Sequence, residues 1–524
     1  MPNPQPHGHR SLPRSRRFTY GVGHVLNDLC ASMWFSYLLV YFHKVVNFSN
    51  VLAGQLLMVG QVSDALCTPF VGYESDRTRS GCGYGRRKIW HLVGSVCVAC
   101  SFPFIFNLCI SCSKSPDWAQ FIYYVPFVVI FQFGWASTQI SHLALIPDLA
   151  SSPSLRVELN AIRYAFTVLA NVAVYAIAWL LLGLEDRSNH HDLSPEDADE
   201  FRNLAFIVIG IGLFFSFIFH MGTTEPLRPH RAESVTEEQP NVQEDEENEP
   251  IIKKKLKRRK MTWKCWLKEV QFYQVALLYM CTRLMVNMSQ VYMPLYLTDT
   301  LNLDKAYIAT IPLVTYLSGF LSSFAMKAVN KAVGRKMTFF LGVMCVLFAC
   351  DWMWVPNIGL QVYGAAVLLG VGGSTVLVTS LSMTADLIGE NLDSGAFVYG
   401  AMSFTDKLSN GLAVTLVQTL HPCSDTNTMC KQAPCDPSQS VCCDACQSYY
   451  QQVMVFVPGG VGLLALLVLA TLICKPIGIK TEFISERQMD NSAEHVPVEY
   501  GAIRSTPHMN DTDNSEVSLT TCDA

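Results

Sequence analysis

The chain has 524 residues, of which 50% are apolar and only 15% are Asp, Glu, Lys or Arg, with a formal net charge of −5 and a mean hydropathy of +0.25. A soluble domain carries roughly 25% charged residues, so a soluble enzyme, a nucleic-acid binder and a disordered scaffold are all disfavoured. The charges crowd into Arg77 to Lys88, Glu225 to Lys268 and the tail after Lys475, and the apolar runs between them are long enough to cross a hydrocarbon core of about 30 Å.

The pattern predicts an all-α membrane protein with twelve transmembrane helices, at about 18–43, 50–73, 88–109, 120–147, 157–184, 202–222, 270–297, 305–327, 336–356, 359–387, 395–420 and 450–474. Helices satisfy every backbone group within one segment, which lipid demands. The polar start over 1–17, with Arg10, Arg14, Arg16 and Arg17, reads as a cytosolic flank rather than a cleavable signal. Basic residues in short loops fix the orientation. Loop 2–3 holds Arg77, Arg79, Arg86, Arg87 and Lys88, and loop 8–9 holds Lys327, Lys331, Arg335 and Lys336, while the alternate loops are poor in basic residues. Both termini and the linker over 223–269 are therefore expected in the cytosol. That linker separates bundles over 18–222 and 270–474 and reads as disordered, with a basic run (Lys253 to Lys260) suited to anionic lipid. The tail over 475–524 follows the second bundle.

Ionisable residues within spans are costly and default to functional hypotheses. In chain order they are Asp28 in span 1, Asp64 in span 2, Arg163 in span 5, Arg283 in span 7, and Asp406 with Lys407 in span 11. Three negatives and three positives suit mutual pairing, and equally a small zwitterion exchanging into such pairs. Asn287 and Gln290 follow Arg283 on one helical stripe, and span 4 adds Gln139. Arg163 or Lys407 is expected to hold a substrate carboxylate, and Asp64 or Asp28 its ammonium. Asp406 points about 100° away from Lys407 on an ideal helix, which favours a structural role. His24 and His142 read more readily as packed residues than as proton carriers.

The chain has 19 cysteines. Cys109 and Cys112 fall in loop 3–4, and Cys423, Cys430, Cys435, Cys442, Cys443 and Cys446 in a loop over 421–449, all on the non-cytosolic side. Dense cysteine there reads as a disulfide framework, with metal binding by Cys442, Cys443 and Cys446 the lesser alternative; six cysteines allow about 15 pairings. Tyr500 with Ile503 fits a tyrosine-based sorting signal, and Ile251 with Ile252 an acidic dileucine-type signal. Both suit clathrin-adaptor partners and the endolysosomal system. No metal, cofactor or nucleotide motif is present, so transport work must draw on an ion or substrate gradient.

The two halves match. Gly72-Tyr-Glu-Ser-Asp76-Arg77 with Gly85-Arg86-Arg87-Lys88 closes span 2, and Lys327 through Gly334-Arg335-Lys336 closes span 8; Asp148 ends span 4 where Asp386 ends span 10. This arrangement resembles the major facilitator superfamily, which implies two six-helix halves working by alternating access around a midplane site. The resemblance implies gating roles for Asp76, Arg77, Arg86, Asp148, Arg335 and Asp386. Asp64-Ala-Leu-Cys-Thr68-Pro-Phe-Val-Gly72, with Arg163 and Lys407, resembles the sugar–cation symporter branch, whose second helix carries two acids four residues apart. Thr68 takes the second place here, removing a carboxylate that a hard cation prefers. The stretches His24 to Trp34, Phe131 to His142, Arg163 to Thr167 and Ser394 to Gly400 are similar to the lysosomal and melanosomal cysteine importers of that superfamily. That similarity implies import of L-cysteine from cytosol into lysosome and melanosome, an effect on pigmentation, and a proton as a candidate coupling ion. A cation-coupled sugar carrier and a non-transporting scaffold or receptor are the alternatives. Replacing Tyr500, Ile251 and Ile252 by Ala is expected to shift the protein to the plasma membrane, as read by surface biotinylation; unchanged intracellular retention would remove these signals from the account.

Overall fold

The computed structural model describes residues 12–78, 84–112, 115–150, 153–183, 193–225, 263–356, 358–389, 395–422, 440–473 and 477–478. The long helices are α1 (Arg14–Val45), α2 (Asn50–Arg77), α3 (Arg86–Ile105), α4 (Asp117–Ala144), α5 (Pro153–Gly183) and α6 (Ala198–Gly222) in one half. The other half has α7 (Val270–Leu295), α8 (Tyr307–Val333), α9 (Arg335–Met353), α10 (Val362–Ile388), α11 (Gly395–Thr419) and α12 (Ser440–Leu472). Among the described residues, ten helices are long and apolar enough to cross a membrane, so this is a multi-pass membrane protein. α7 and α11 fall outside that set; they are the helices that carry Arg283 and Asp406. Two features differ from the sequence reading: the end of the 223–269 linker is a short helix over Trp263–Lys268 with Cys265 and Trp266 buried, and α12 begins at Ser440, so Cys442, Cys443 and Cys446 fall in its first turns rather than in a loop running to 449.

Small residues let neighbouring helices approach. A Cβ built on Gly94 of α3 would stand 2.7 Å from the Gly134 carbonyl of α4, and one on Gly372 of α10 would stand 2.8 Å from the Gly342 carbonyl of α9. The same crossing thus recurs in both halves, fixed by residues without a side chain. A second repeated device ends the first helix of each half. α1 closes in a π-helical turn over Tyr41–Val45 and α7 runs into one over Tyr296–Thr300, followed by Asn47 and Asn302 at φ 62° and 50°.

The chain's first helix begins on the face that also carries the basic turns before α3 and α9; this is called the basic face, and its opposite the far face. On the basic face three ion pairs among the described residues lie within one half: Arg17–Glu158, Arg87–Asp148 at 3.3 Å and Arg335–Asp386. On the far face the pairs bridge the halves. Lys44 Nζ lies 2.8 Å from Asp299 Oδ1, joining the two π turns, and Lys305 Nζ lies 2.5 Å from Asp197 Oδ1. Behind them Tyr37, Tyr41, Phe42, Tyr292, Tyr296 and Tyr450 are fully buried. His421, just past α11, packs against Tyr449 and Tyr450, and burial pushes its imidazole down to about 4, so at neutral pH it adds no charge beside Lys44. Ion pairs thus tie the halves together on the far face, whereas those named on the basic face lie within one half.

The Lys44–Asp299 pair is partly exposed, so it is worth about 1 kcal/mol, or about a five-fold change in population. Lys44→Asp or Asp299→Lys alone is expected to open the far face by that factor, and the two together to restore closure. Spin-label distances between the far ends of α1 and α7 report this; singles and double that behave alike would contradict the latch.

Candidate substrate cavity

A cavity of about 370 Å³ lies between the halves, walled by α1, α4, α5, α7, α8 and α10. That volume falls within the roughly 300–1,000 Å³ of small-molecule sites. It runs from Gln290 and Met293, deep against the closed far face, to Gln139, Leu377 and the half-exposed Tyr164 toward the basic face.

Its polar wall is a ladder between α1 and α5. Both helices run in the same direction, and four residues per rung keep every rung on one face. Arg163 Nη2 lies against the His24 ring, 3.1 Å from Nε2 and 3.4 Å from Nδ1; Thr167 Oγ1 donates to Asp28 Oδ2 at 2.8 Å and Ser32 Oγ to Asn171 Oδ1, and Ser36 Oγ and Tyr175 Oη share a hydrogen bond of 2.7 Å. Asp28 also lies 2.9 Å from His24 Nδ1. Gln290 of α7 reaches across to the last rung, donating to Ser36 Oγ at 3.0 Å and Tyr175 Oη at 3.3 Å. Gln139 is held by the Trp135 indole N–H at 2.9 Å. Six residues singled out from sequence line this cavity: Asp28, Gln139, Arg163, Arg283, Asn287 and Gln290. Thr167, Asn171 and Tyr175 were missed, although polar residues at every fourth place on both α1 and α5 were the available signal.

The cations at this depth differ in their partners. Arg283 Nε lies 3.0 Å from Asp406 Oδ2, whose other oxygen accepts from Asn410 at 2.7 Å. Lys407 Nζ lies 2.6 Å from Asp64 Oδ1 and donates to Thr68 Oγ1 at 2.7 Å. This second pair sits on the seam between α2 and α11 and does not line the cavity. The lysine ammonium therefore occupies the side of Asp64 and Thr68 where the symporter-like pattern would hold a cation. Arg163 has no carboxylate within ion-pair distance among the described residues, and its Nε–H has no protein acceptor.

At the basic face, Arg87 makes the ion pair with Asp148 that corresponds to Arg335–Asp386 in the other half. The adjoining lysines also correspond: Lys88 Nζ donates to the His220 carbonyl ending α6 at 2.9 Å, and Lys336 Nζ to the Leu472 carbonyl ending α12 at 2.5 Å. Cations suit these helix C-termini. Arg77 contacts Tyr73 and Glu74 of its own helix. Arg86 has an interaction within the protein. The Asp76 side chain lies outside the described residues, as do Cys423, Cys430, Cys435, Tyr500, Ile503, Ile251, Ile252 and the side chains of Cys442 and Cys443. Cys109 and Cys112 form a disulfide, with Cα atoms 5.3 Å apart, and Cys446 is also disulfide-bonded.

A family model described as MFS/sugar transport protein matches residues 19–442. The chain belongs to the major facilitator superfamily. This member is 52% identical over 491 residues to major facilitator superfamily domain-containing protein 12 of Homo sapiens, covering 91% of this chain and 96% of that one. The Mus musculus protein of the same name is 52% identical over 480 residues, covering 90% and 96%. The fold is similar to the crystal structure of a D-xylose–proton symporter, with a TM-score of 0.61 and 13% identity over 89% of this chain and 99% of that one. The superfamily member is thus a membrane transporter and not an enzyme.

The Asp64–Lys407 pair generates a test. Removing one partner of a buried pair costs about 3–5 kcal/mol, because the other charge is left without compensation. Asp64→Asn and Lys407→Met are each expected to lower the melting temperature of the purified transporter, and the double variant to lose less than their sum. Additive losses would contradict the pairing.

Proposed function

We propose that this transporter carries a small zwitterionic amino acid by alternating access, and that the cargo is free cysteine moving from cytosol into lysosomes and melanosomes, with an effect on pigmentation. The observation that carries the reading is Arg163: a guanidinium facing the cavity with, among the described residues, no carboxylate partner and no acceptor for its Nε–H. A substrate carboxylate matches that fork. Asp28, which accepts from His24 and Thr167, keeps lone-pair capacity for the ammonium. Asn287, Gln290 and Gln139 supply amide contacts around the rest of the molecule. Lys407 and Asp64 hold one another and serve the seam between halves; Arg283, held by Asp406, is a secondary contact at the cavity wall.

Placing the basic face in the cytosol follows from the positive loops, and the substrate is read as loading from that side. Both termini then lie in the cytosol, where adaptor proteins would read Tyr500 and Ile251–Ile252. Gating is assigned to the paired ends Arg87–Asp148 and Arg335–Asp386. The cysteine assignment itself rests on the sequence resemblance, since the cavity chemistry selects a zwitterion and not a thiol. The second reading is a cation-coupled sugar carrier, favoured by the family model's description and by the amide-rich cavity. Against sodium in that reading stands Lys407, which already neutralises the carboxylate of Asp64.

Counterflow of labelled cysteine, other amino acids and sugars in proteoliposomes tests the proposal. Arg163→Gln is expected to cut uptake at low substrate by on the order of 10- to 100-fold, the worth of one charged hydrogen-bonding contact, with Arg163→Lys intermediate. Sugar counterflow that survives Arg163→Gln would favour the second reading, and uptake of no amino acid would end the first.

A further inference from the structure

Asp28, His24 and Arg163 stand in series. Arg163 Nη2 lies 3.1 Å from His24 Nε2 and 3.4 Å from His24 Nδ1, so the guanidinium rests against the face of the imidazole. Nδ1 lies 2.9 Å from Asp28 Oδ1 and donates its proton there. A second ring proton would set an imidazolium against the guanidinium, so this arrangement belongs to neutral His24. The guanidinium has hydrogens to spare. Its Nε–H and one Nη2–H make the side-on fork that takes a carboxylate, while the guanidinium stays against the His24 ring. Substrate and neutral His24 therefore hold the same guanidinium at once.

We propose that neutral His24 is the positioning residue that holds Arg163 for the substrate carboxylate, and that protonation of His24 ejects the guanidinium and releases the substrate. This rests on Arg163 being the carboxylate anchor. A proton from cavity water adds to Nε2, so two cations face each other at contact distance. At this depth that repulsion is weakly screened. Asp28 meanwhile keeps the imidazolium and is less available to the substrate ammonium. Proton and substrate therefore compete, and the linkage is reciprocal. A cargo loaded from neutral cytosol is unloaded into an acidic compartment, and a carrier returning with its proton exchanges one proton for one cargo molecule.

The other titratable groups around His24 are accounted for. On α1 itself Tyr20 lies one turn earlier, and its hydroxyl donates to the His142 carbonyl at 3.2 Å. His142 of α4 lies 5.6 Å away between ring centroids, donating Nε2–H to the Tyr20 carbonyl. Behind it His91 of α3 bonds to the Gly23 carbonyl at 2.8 Å and to His220 of α6 at 3.0 Å. α5 contributes Arg163 and the Thr167 hydroxyl. Asp28 is the carboxylate in contact, and His24 is the histidine that touches both Asp28 and Arg163.

The test is cysteine counterflow in proteoliposomes with the pH set between about 7.5 and about 5.5, a window in which histidine titrates and the cysteine thiol, near 8.5, does not. In the wild type, half-saturation is expected to rise on the order of ten-fold toward acid, with little change in maximal rate. His24→Gln, whose uncharged amide stands beside Arg163 but takes no proton, is expected to bind a few-fold more weakly at neutral pH and to lose the acid dependence. His24→Arg, a permanent cation, should bind poorly throughout, and His142→Gln should keep the wild-type slope. A flat wild-type profile overturns the proposal without any variant, and so does a wild-type slope in His24→Gln. Arg163→Gln separates the two levels: normal affinity there sinks the carboxylate anchor, whereas lost affinity with an unchanged slope in His24→Gln sinks the proton role alone.

Discussion

An ionised group at membrane depth must be neutralised locally, because desolvation costs several kcal/mol that only a close partner offsets. The interior of this transporter is arranged around that constraint. Lys407 answers Asp64 across the α2–α11 seam, and Arg283 answers Asp406 between α7 and α11. Arg163 is answered only indirectly, through the neutral ring of His24 to Asp28. Arg163 and Arg283 both line the cavity, but Arg283 is held by Asp406, whereas Arg163 keeps hydrogen-bonding capacity in reserve. That difference, rather than the presence of charge, distinguishes a structural pair from a binding group.

The scaffold around the charges is duplicated. Each half has a glycine crossing between its third and fourth helices, a basic turn whose Arg reaches the Asp ending its fourth helix, and a lysine on the C-terminus of its sixth. Each first helix ends in a π-helical turn. Lys44 and Asp299 occupy corresponding places in those turns and meet at the far face. Asp28 and Arg283 also correspond, each the same number of residues before its π turn. A symmetric frame thus carries opposite charges at equivalent positions, so the two halves attract at the face where they meet and offer unlike groups to one asymmetric molecule.

Much of the fold was legible because its signal is one-dimensional. Length, apolarity and basic loops define spans irrespective of partners. The start of α12 was misplaced because its first turns, from Ser440, are rich in cysteine and polar residues and carry no hydropathy signal. Charged residues at depth were legible as important, but not their pairing: helical spacing tells which residues share a face and not which helix that face meets. Asp64 and Lys407 were therefore grouped with the binding residues, whereas they turn toward each other on a seam. Arg87 went unnamed beside Arg86 for the same reason, since adjacent arginines look alike in sequence and the Arg87–Asp148 pair is visible only in the fold. The rungs at Thr167, Asn171 and Tyr175 carried a readable four-residue period, hidden because hydroxyl and amide groups do not stand out as charges do.

The central claim is that Arg163 receives a carboxylate. Thermal stabilisation of the purified wild-type transporter by cysteine, by its analogue lacking the carboxylate (cysteamine) and by its analogue lacking the amine (3-mercaptopropionate) measures this directly, since a ligand that binds the folded state raises its melting temperature. The account predicts a clear upward shift with cysteine, a smaller one with the carboxylate-bearing analogue, and none with cysteamine. Stabilisation by cysteamine equal to that by cysteine would contradict it.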